Sequence, residues 1–324
     1  MKVFRNILEA VGNTPLIKVN NLVGEDDAEI WVKAEFLNPG GSIKDRMALF
    51  IINDAERRGL LKPGGTIVEN TSGNTGVGLA MIAALKGYKA IFTIPDKMSD
   101  EKINSLRAFG AEVVVTPTDV PPDSPESYYE TAKRIAAETP GAFYVNQYHN
   151  PMNIKAHYKT TGPEIYEQTN GELDYFIAGI GTGGTMSGAG KYLKEMIPNI
   201  KNIAVDPKGS VFYDYFKSGE VIEPELYKVE GIGEDMVVEA MDFSIVDDMY
   251  QVTDEECFLV AREITQKEGM FVGGSSGGAM HIAIKIAKEV GKGKKIVALL
   301  PDSGNRYLSK IYSDEWMHRY GFID

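Results

Sequence analysis

The sequence has few cysteines, tryptophans and histidines, and this scarcity limits the chemistry open to the chain. Its 324 residues include one cysteine, two tryptophans and four histidines. One cysteine, Cys257, permits neither an intramolecular disulfide nor a zinc site built on thiolates. It lies in the apolar helical pattern DEECFLVAREI, so we expect a buried structural thiol. No HExxH spacing or acidic ligand loop accompanies the histidines, so we expect no metal site among His149, His157, His281 and His318.

Positive charge and long apolar runs are also scarce. The formal net charge is −12, which disfavours nucleic acid or an anionic membrane as a partner. The N-terminal stretch MKVFRNILEAVG lacks the apolar core of a signal peptide. No apolar run approaches the roughly 18 residues of a membrane span. We therefore expect a soluble, cytoplasmic protein.

The chain instead repeats a short apolar strand, a glycine-containing loop and an amphipathic helix. Continuous apolar runs are typical of parallel strands buried on both faces, so the pattern predicts an α/β fold with mainly parallel sheets. A chain of 324 residues exceeds the roughly 250–300 at which single cores stop growing, which favours two domains. The predicted strands are 29–36, 66–70, 89–95, 112–117, 142–147, 175–180, 202–207 and 295–301.

A single lysine, Lys44, follows a glycine-rich loop in NPGGSIKDR. Ser42 is a good N-cap for a helix through RMALFIINDAERR, which predicts Lys44 in the first helical turn. The helix dipole disfavours a cation there, and that position suits an amine that must be neutral and nucleophilic for part of a reaction. The alternative is an ordinary exposed lysine after a loop.

Two turns rich in glycine and hydroxyl residues follow predicted strands, where ligands bind in open α/β sheets. In ENTSGNTG, the N–H groups at a helix start could hold a carboxylate, or Thr71, Ser72, Asn74 and Thr75 could simply cap the helix. In GIGTGGTMSG, the turn offers a phosphate cradle or a tight strand–helix connection. GIGTGG also fits a loose dinucleotide pattern, with Asp206 as its acidic residue, so a nicotinamide dehydrogenase stays open on pattern alone.

Two later turns are less specific. MFVGGSSGGAM reads as another strand–glycine–helix turn, in which Ser275 and Ser276 could bond a heteroaromatic nitrogen or cap the helix. LLPDSGNRY follows the last predicted strand, and Asp302 and Ser303 there fit a plain turn slightly better than a pocket wall.

Lys44 and the TSGNT, GTGGT and GGSSG turns occur in an order that resembles the pyridoxal-phosphate enzymes of fold type II. More narrowly, they resemble the cysteine synthase and cystathionine β-synthase family, from VGNTPLIKV (11–19) to SDEWM (313–317). The resemblance implies two three-layer α/β domains with mainly parallel sheets, as in the tryptophan synthase β-subunit. Residues 1–45 plus 153–324 would form a larger cofactor-phosphate domain, and 46–152 a smaller, mobile substrate-carboxylate domain. It also implies a homodimer.

The resemblance also implies a role for each motif. Lys44 would bind the aldehyde of pyridoxal 5′-phosphate as a Schiff base and then move the α-proton of the substrate. Asn74 would contact the 3′-oxygen of the cofactor, and Ser275 would face its pyridine nitrogen. The phosphate would be held by Gly181, Thr182, Gly183, Gly184 and Thr185. The substrate carboxylate would be received by Thr71, Ser72, Asn74, Thr75 and Gln147.

Several details resemble cystathionine β-synthase more than cysteine synthase. They include the glycine pair in GGSIKDR, Glu101 and Lys102 in SDEK, and Tyr148 in NQY. A tyrosine hydroxyl and a lysine could help hydroxide leave serine, or bind the carboxylate of a second amino acid. We expect β-replacement on L-serine, or an O-activated serine, by a thiol, most simply L-serine plus L-homocysteine to L-cystathionine.

Rival functions stay open at this point. Cysteine synthesis from O-acetylserine and sulfide uses similar loops, as does cysteine-dependent release of hydrogen sulfide. A non-catalytic protein that binds a C-terminal peptide would have no need for Lys44. The resemblance covers only the catalytic core of the human-type enzyme, so we expect no haem and no regulatory module. Asn70 departs from the Pro or Ala that the family often has before Thr71.

Overall fold

The computed structural model describes residues 3–71, 73–96, 98, 100–121 and 123–324. Within these ranges the chain forms two β-sheets, with α-helices between most successive strands. The strands are β1 (Leu16–Lys18), β2 (Glu29–Ala34), β3 (Thr66–Asn70), β4 (Lys89–Pro95), β5 (Glu112–Thr116), β6 (Ala142–Tyr144), β7 (Tyr175–Gly179), β8 (Lys201–Pro207), β9 (Asp248–Val252) and β10 (Lys295–Leu300). The α-helices are α1 (Lys44–Arg57), α2 (Asn74–Lys86), α3 (Asp100–Ala108), α4 (Tyr128–Glu138), α5 (Pro151–Lys159), α6 (Thr161–Gln168), α7 (Lys191–Met196), α8 (Phe212–Ser218), α9 (Asp254–Glu268), α10 (Gly274–Val290) and α11 (Asp314–Arg319).

The described residues fall into two compact units, each with its own sheet and core. The first unit takes the described residues of Met1–Val11 and Asn38–Ala156, and the second takes Gly12–Leu37 and His157–Asp324. A domain division at 45/46 and 152/153, with phosphate binding in one domain and carboxylate binding in the other, stays a prediction, because it assigns functions as well as boundaries.

The first unit is built on a parallel sheet with strand order β5-β4-β3-β6. The central strand β3 pairs with β4 and β6 and is buried along its whole length, as a strand covered on both faces must be. The fully buried core of this unit includes Ile67, Leu79 and Phe92. The carboxyl end of β3 therefore leads directly into the TSGNT turn and α2.

The second unit is built on a larger sheet with strand order β1-β2-β10-β7-β8-β9. The pairs are parallel except β1 with β2, and Ala298 at the centre of β10 aligns with Val32 and Ile177. Helix α9 begins with a capping box, in which Thr253 and Glu256 satisfy each other's backbone N–H groups. The GTGGT turn follows β7, near the middle of this sheet.

The structure confirms the predicted α/β class with mainly parallel sheets, and it corrects several element boundaries. The strand predicted over 142–147 ends at Tyr144, because Asn146 has a positive φ of 53° that interrupts an extended chain. MFVGG is not a strand, since Val272 makes only an isolated bridge to Ser303. Strands β1 and β9 were not predicted. Among the described residues, no helix combines the length and apolar character that a membrane crossing needs.

Candidate active site

Lys44 lies in the first turn of α1, as the sequence predicts, and is its first residue, but the capping differs from the prediction. Ile43 occupies the N-cap position, so Ser42 is not the N-cap, although its hydroxyl accepts the Lys44 N–H at 3.3 Å. The carboxylate of Asp45 accepts the Gly40 N–H at 2.5 Å, and a Cβ at Gly40 would collide with that carboxylate. The loop thus requires glycine at position 40, and it presents a half-buried Lys44 at a helix start.

The TSGNT turn joins β3 to α2 in the same unit. The Thr71 hydroxyl accepts the N–H groups of Gly73 at 3.0 Å and Gly76 at 3.1 Å, so this side chain caps the helix. Gly73 has φ of 139°, a conformation that favours glycine. Asn74 is half-buried at the first helical position. Ser72, predicted to bind the substrate carboxylate, lies outside the described residues.

Gln147 lies beside this turn and joins it through Thr75. The Thr75 hydroxyl donates to Gln147 Oε1 at 2.7 Å. The amide nitrogen of Gln147 donates to Glu69 Oε1 at 3.3 Å and to the Asn70 carbonyl at 3.2 Å. Burial raises the pKa of Glu69 to about 8, against hydrogen bonds to the carboxyl that act in the opposite direction. None of the sequence motifs points to Glu69, although a carboxyl within the predicted strand TIVEN is itself a signal.

The three residues predicted to assist catalysis have different surroundings. Lys102 is 6% exposed, and its Cδ lies 3.3 Å from the position that a Cβ would take at Gly73. Tyr148 is half-buried and packs edge-on against Tyr129, with ring centroids 5.8 Å apart. Glu101 is exposed on α3. The structure thus brings Lys102 to the TSGNT turn and places Glu101 at the surface.

In the second unit, the GTGGT turn follows β7 and packs tightly against later segments. Gly183 has φ of 80°, and a Cβ there would lie 2.5 Å from Met241 Cβ. A Cβ at Gly181 would lie 2.8 Å from the Gly231 carbonyl oxygen. Helical residues begin at Gly184 and continue through a π-helical segment, Met186–Gly190, into α7. The turn therefore ends at a helix start, where free N–H groups favour an anion.

Burial and a contact with a histidine of α5 position the side chains of this turn. Thr182 is buried, and the Thr185 hydroxyl lies 3.4 Å from His157 Nε2. His157 is itself buried, and its Nδ1 lies 2.9 Å from the Thr161 hydroxyl. The predicted structural histidine thus supports the last residue of the glycine turn.

Ser275 is the second residue of α10 and is 1% exposed. Its hydroxyl has no hydrogen-bond partner among the described residues, and it lies 3.7 Å from the position of a Cβ at Gly231. An unsatisfied buried hydroxyl costs free energy, which a neutral acceptor such as a pyridine nitrogen would recover. Ser275 and the glycine turn therefore fit the pyridine ring and the phosphate of pyridoxal phosphate.

The two other candidate acids, Asp206 and Asp302, make hydrogen bonds that hold their own segments of the chain. Asp206 is fully buried and accepts the N–H of Tyr213 at 3.0 Å, and burial raises its pKa to about 7. It is therefore placed to brace its own turn rather than to face a ribose. Asp302 accepts the Tyr307 hydroxyl at 2.6 Å, and its carbonyl accepts the Gly273 N–H, as expected of a plain turn. No cluster of metal-ligating side chains occurs in the described ranges.

Comparisons with known proteins extend these observations to the whole chain. A family model described as "Pyridoxal-phosphate dependent enzyme" matches residues 7–302. A cystathionine beta-synthase of Apis mellifera is 49% identical over 99% of this chain. The chain spans 58% to 64% of the length of such curated relatives.

Two solved structures are similar over nearly the full chain. A hydrogen sulfide-producing enzyme from Fusobacterium nucleatum has a TM-score of 0.87 and 40% identity, covering 94% of this chain and 100% of its own. An O-acetylserine-dependent cystathionine beta-synthase from Helicobacter pylori has a TM-score of 0.86 and 37% identity, covering 97% and 100%. With the ordered motifs and the two sheets, these matches show that the chain belongs to the pyridoxal-phosphate-dependent enzymes of fold type II, in the cysteine synthase and cystathionine β-synthase family.

Proposed function

We propose that this chain catalyses β-replacement on L-serine, or an O-activated serine, by a thiol, most simply forming L-cystathionine from L-serine and L-homocysteine. The Cβ–O bond of serine breaks, a Cβ–S bond forms, and the hydroxyl leaves as water with the thiol proton. The observation that carries the proposal is the buried Ser275 hydroxyl, a neutral partner for a pyridine nitrogen. Curated relatives at 43% to 49% identity, named cystathionine beta-synthase, support the choice of reaction.

The cofactor proposed for this chemistry is pyridoxal 5′-phosphate. When bound, it withdraws electrons from the α-carbon of an amino acid, so that the α-proton becomes acidic and a β-substituent can leave. We assign its phosphate to Gly181, Thr182, Gly183, Gly184 and Thr185. A helix start and the steric need for glycine at 181 and 183 support that assignment. We assign the pyridine nitrogen to Ser275 and the 3′-oxygen to Asn74.

Lys44 has two proposed tasks, which its position at the start of α1 supports. Its Nζ would hold the cofactor aldehyde before substrate arrives, and it would then take the α-proton of the substrate and return it. The positive end of the helix dipole and partial burial both disfavour the charged amine, which favours the nucleophilic form.

The donor amino acid would be held by its carboxylate at the start of α2. Thr71, Ser72, Asn74, Thr75 and Gln147 are the residues proposed for this binding. The backbone N–H groups there lie at a helix N-terminus, which favours a negative group. Thr71 and Thr75 have their hydroxyls engaged within the unit, so we assign their contribution to backbone N–H groups and to shape.

Lys102 and Tyr148 would act on the leaving group or on the second substrate. A lysine ammonium and a phenol can each donate a proton or a hydrogen bond to a departing hydroxide. The contact of the Lys102 stem with Gly73 supports its part in this proposal. Exposure of Glu101 favours a minor role for that residue.

Two rival reactions have specific support. The Helicobacter pylori neighbour is described as O-acetylserine dependent. That description supports an activated donor as an alternative, including the synthesis of cysteine from O-acetylserine and sulfide. The Fusobacterium nucleatum neighbour is described as hydrogen sulfide-producing, which keeps cysteine as a donor in view. All three reactions would use Lys44, so they differ only in donor and acceptor.

Product analysis by mass spectrometry separates these reactions. The purified protein with pyridoxal phosphate receives L-serine or O-acetylserine, each with L-homocysteine or sulfide, and cysteine with homocysteine in a parallel sample. Cystathionine from serine supports the proposal, and cysteine from O-acetylserine and sulfide alone would reassign the donor and the acceptor. Lys44→Ala serves as the control, and product at an unchanged rate from that variant would refute the assignment of Lys44.

We also propose that the chain acts as a homodimer, as its family resemblance implies, and that it works in the cytoplasm. Light scattering of the purified protein tests the first point, and fractionation of the source cells tests the second.

A further inference from the structure

Glu69 is a buried acid with an incomplete set of hydrogen bonds. It lies in β3 and is 0% exposed. Its Oε1 accepts from the Gln147 amide at 3.3 Å. Its Oε2 is buried and makes no hydrogen bond within the described part of the chain. An ionised oxygen without a donor is costly to bury, which favours a proton on this carboxyl.

The carboxyl holds the turn that carries Gln147. Strand β6 ends at Tyr144, and Asn146 turns the chain with φ of 53°. In this turn the N–H groups of Asn146 and Gln147 lower the pKa of the Glu69 carboxyl, against the larger effect of burial. Asn153 Nδ2 donates to the Gln147 carbonyl at 2.9 Å from the other side. Asn153 therefore fixes the backbone of Gln147, and Glu69 accepts from its side-chain amide.

The same carboxyl also sets which way the Gln147 amide faces. Glu69 Oε1 and the Asn70 carbonyl are both acceptors, so the Gln147 nitrogen must face them. Gln147 Oε1 is then left to accept the Thr75 hydroxyl at 2.7 Å. Thr75 is the second residue of α2, at the start of the proposed carboxylate site. A continuous chain of hydrogen bonds thus joins Glu69 to that site.

We infer that Glu69 is a positioning residue for the donor amino acid: its buried carboxyl holds Gln147, and through it Thr75, in the arrangement that receives the donor carboxylate. This inference rests on the proposed function, since it deepens the assignment of the donor site. In this role Glu69 touches neither the donor nor the cofactor. It acts through Gln147.

The charge of Glu69 gives the inference a distinctive signature. Burial raises its pKa to about 8, so the carboxyl is mostly neutral at pH 7 and ionises above pH 8. The ionised form adds a buried negative charge behind a site for a carboxylate, which weakens donor binding. Tyr144 of β6 is an ionisable group that interacts with Glu69, and it in turn interacts with Tyr129 and Glu130 of α4. Burial and these groups raise the pKa of Tyr144, so it stays neutral over the same range.

Three variants of the holoenzyme separate positioning from a purely structural role. Glu69→Gln keeps an acceptor oxygen and is neutral at every pH. Glu69→Leu has similar bulk and removes the acceptor. Glu112→Gln, on the exposed side of β5 in the same sheet, is the matched control. For each protein, L-serine affinity is measured from the cofactor absorbance, and kcat and KM are measured between pH 6 and pH 9.5.

We expect wild type and Glu112→Gln to lose L-serine affinity above pH 8, by up to about tenfold per pH unit. Glu69→Gln should lack that step and resemble wild type at pH 7. Glu69→Leu should raise KM for L-serine about tenfold at pH 7 with a smaller change in kcat, because buried donors lose their acceptor. An unchanged alkaline step in Glu69→Gln would overturn the inference.

An infrared difference spectrum tests Glu69 without any turnover. Wild type minus Glu69→Gln at pH 7 should show the C=O band of a protonated carboxylic acid, and the band should disappear by pH 9.5. Its absence at pH 7 would show that Glu69 is ionised there, and an unchanged KM for L-serine in Glu69→Leu would overturn the inference even if cystathionine is made. If no donor gives product, the proposed function fails, and the band and L-serine affinity still decide the role of Glu69.

Discussion

Gly183 offers a sharp test of the proposed phosphate turn, because a single methyl group there meets two obstacles. Its φ of 80° strains any residue with a Cβ, at a cost of roughly 1–2 kcal/mol. The added Cβ would also lie 2.5 Å from Met241 Cβ and 2.6 Å from Met241 Cα. Overpacking of this kind costs a further 1–3 kcal/mol or so and displaces the turn.

Gly219 provides the matched control for Gly183→Ala. It ends α8 with φ of 77°, and a Cβ there would meet nothing within 4 Å. Gly219→Ala therefore carries the same backbone strain without the collision. Met241→Ala should not rescue Gly183→Ala, because Met241 Cα and Cβ remain in place.

The assay is the dissociation constant of pyridoxal phosphate for each apoprotein, with urea unfolding in parallel. We expect Gly183→Ala to bind the cofactor at least ten times more weakly than wild type, roughly the effect of 1.4 kcal/mol. Gly219→Ala should bind within twofold of wild type and lose about 1–2 kcal/mol of stability. Equal cofactor affinity in the two variants would refute the assignment of this turn to the phosphate.

Three further predictions concern other residues of the candidate site. Ser275→Ala should fold normally but shift the absorbance of the bound cofactor and lower turnover; an unchanged spectrum and rate would count against Ser275 as the pyridine partner. Lys102→Ala should lower kcat/KM for serine and homocysteine about tenfold, the equivalent of about 1.4 kcal/mol. Lys102→Met keeps the aliphatic stem beside Gly73 and so isolates the effect of the charge. Wild-type kinetics in both Lys102 variants and in Tyr148→Phe would remove both residues from the mechanism. Folding raises the pKa of Glu69 from 4.5 to about 8, so the folded chain binds that proton more tightly; the stability it contributes is full below pH 4.5 and is lost as pH rises towards 8. Over this range the unfolding free energy of wild type should fall more steeply than that of Glu69→Gln, by up to about 1.4 kcal/mol per pH unit. Parallel slopes would show that Glu69 is not neutral in the folded chain.

Much of the fold could be predicted because buried parallel strands leave a strong pattern. The sequence pattern predicts strands β3 and β4 with their observed bounds, because each is a short run rich in β-branched and aromatic residues that follows a glycine turn. The three residues of β1 are too few for a periodic signal. Strand β9, DMYQV, is half polar because it lies at the edge of its sheet. Its pairing depends on β8, which sequence pattern alone does not reveal.

The sequence predicts those parts of the candidate site that lie in recognisable motifs. Lys44 and the three glycine turns carry recognisable spacing, because each needs a helix start and a close backbone approach. Glu69 and the burial of Lys102 depend on packing between segments distant in sequence. Glu69 acquires its meaning only when β6 brings Gln147 beside β3. Ser42 resembles an N-cap in sequence, and its hydroxyl does accept the Lys44 N–H, but Ile43 holds the N-cap position between it and the helix.

The proposed chemistry depends on Lys44 as the lysine that carries pyridoxal phosphate. The most direct measurement is borohydride reduction of the holoenzyme followed by peptide mapping, which locates the lysine that bears the pyridoxyl group. We predict the group on the peptide that contains Lys44, and no labelled peptide from Lys44→Ala. A pyridoxyl group on another lysine of wild type, or on none, would refute the assignment of Lys44.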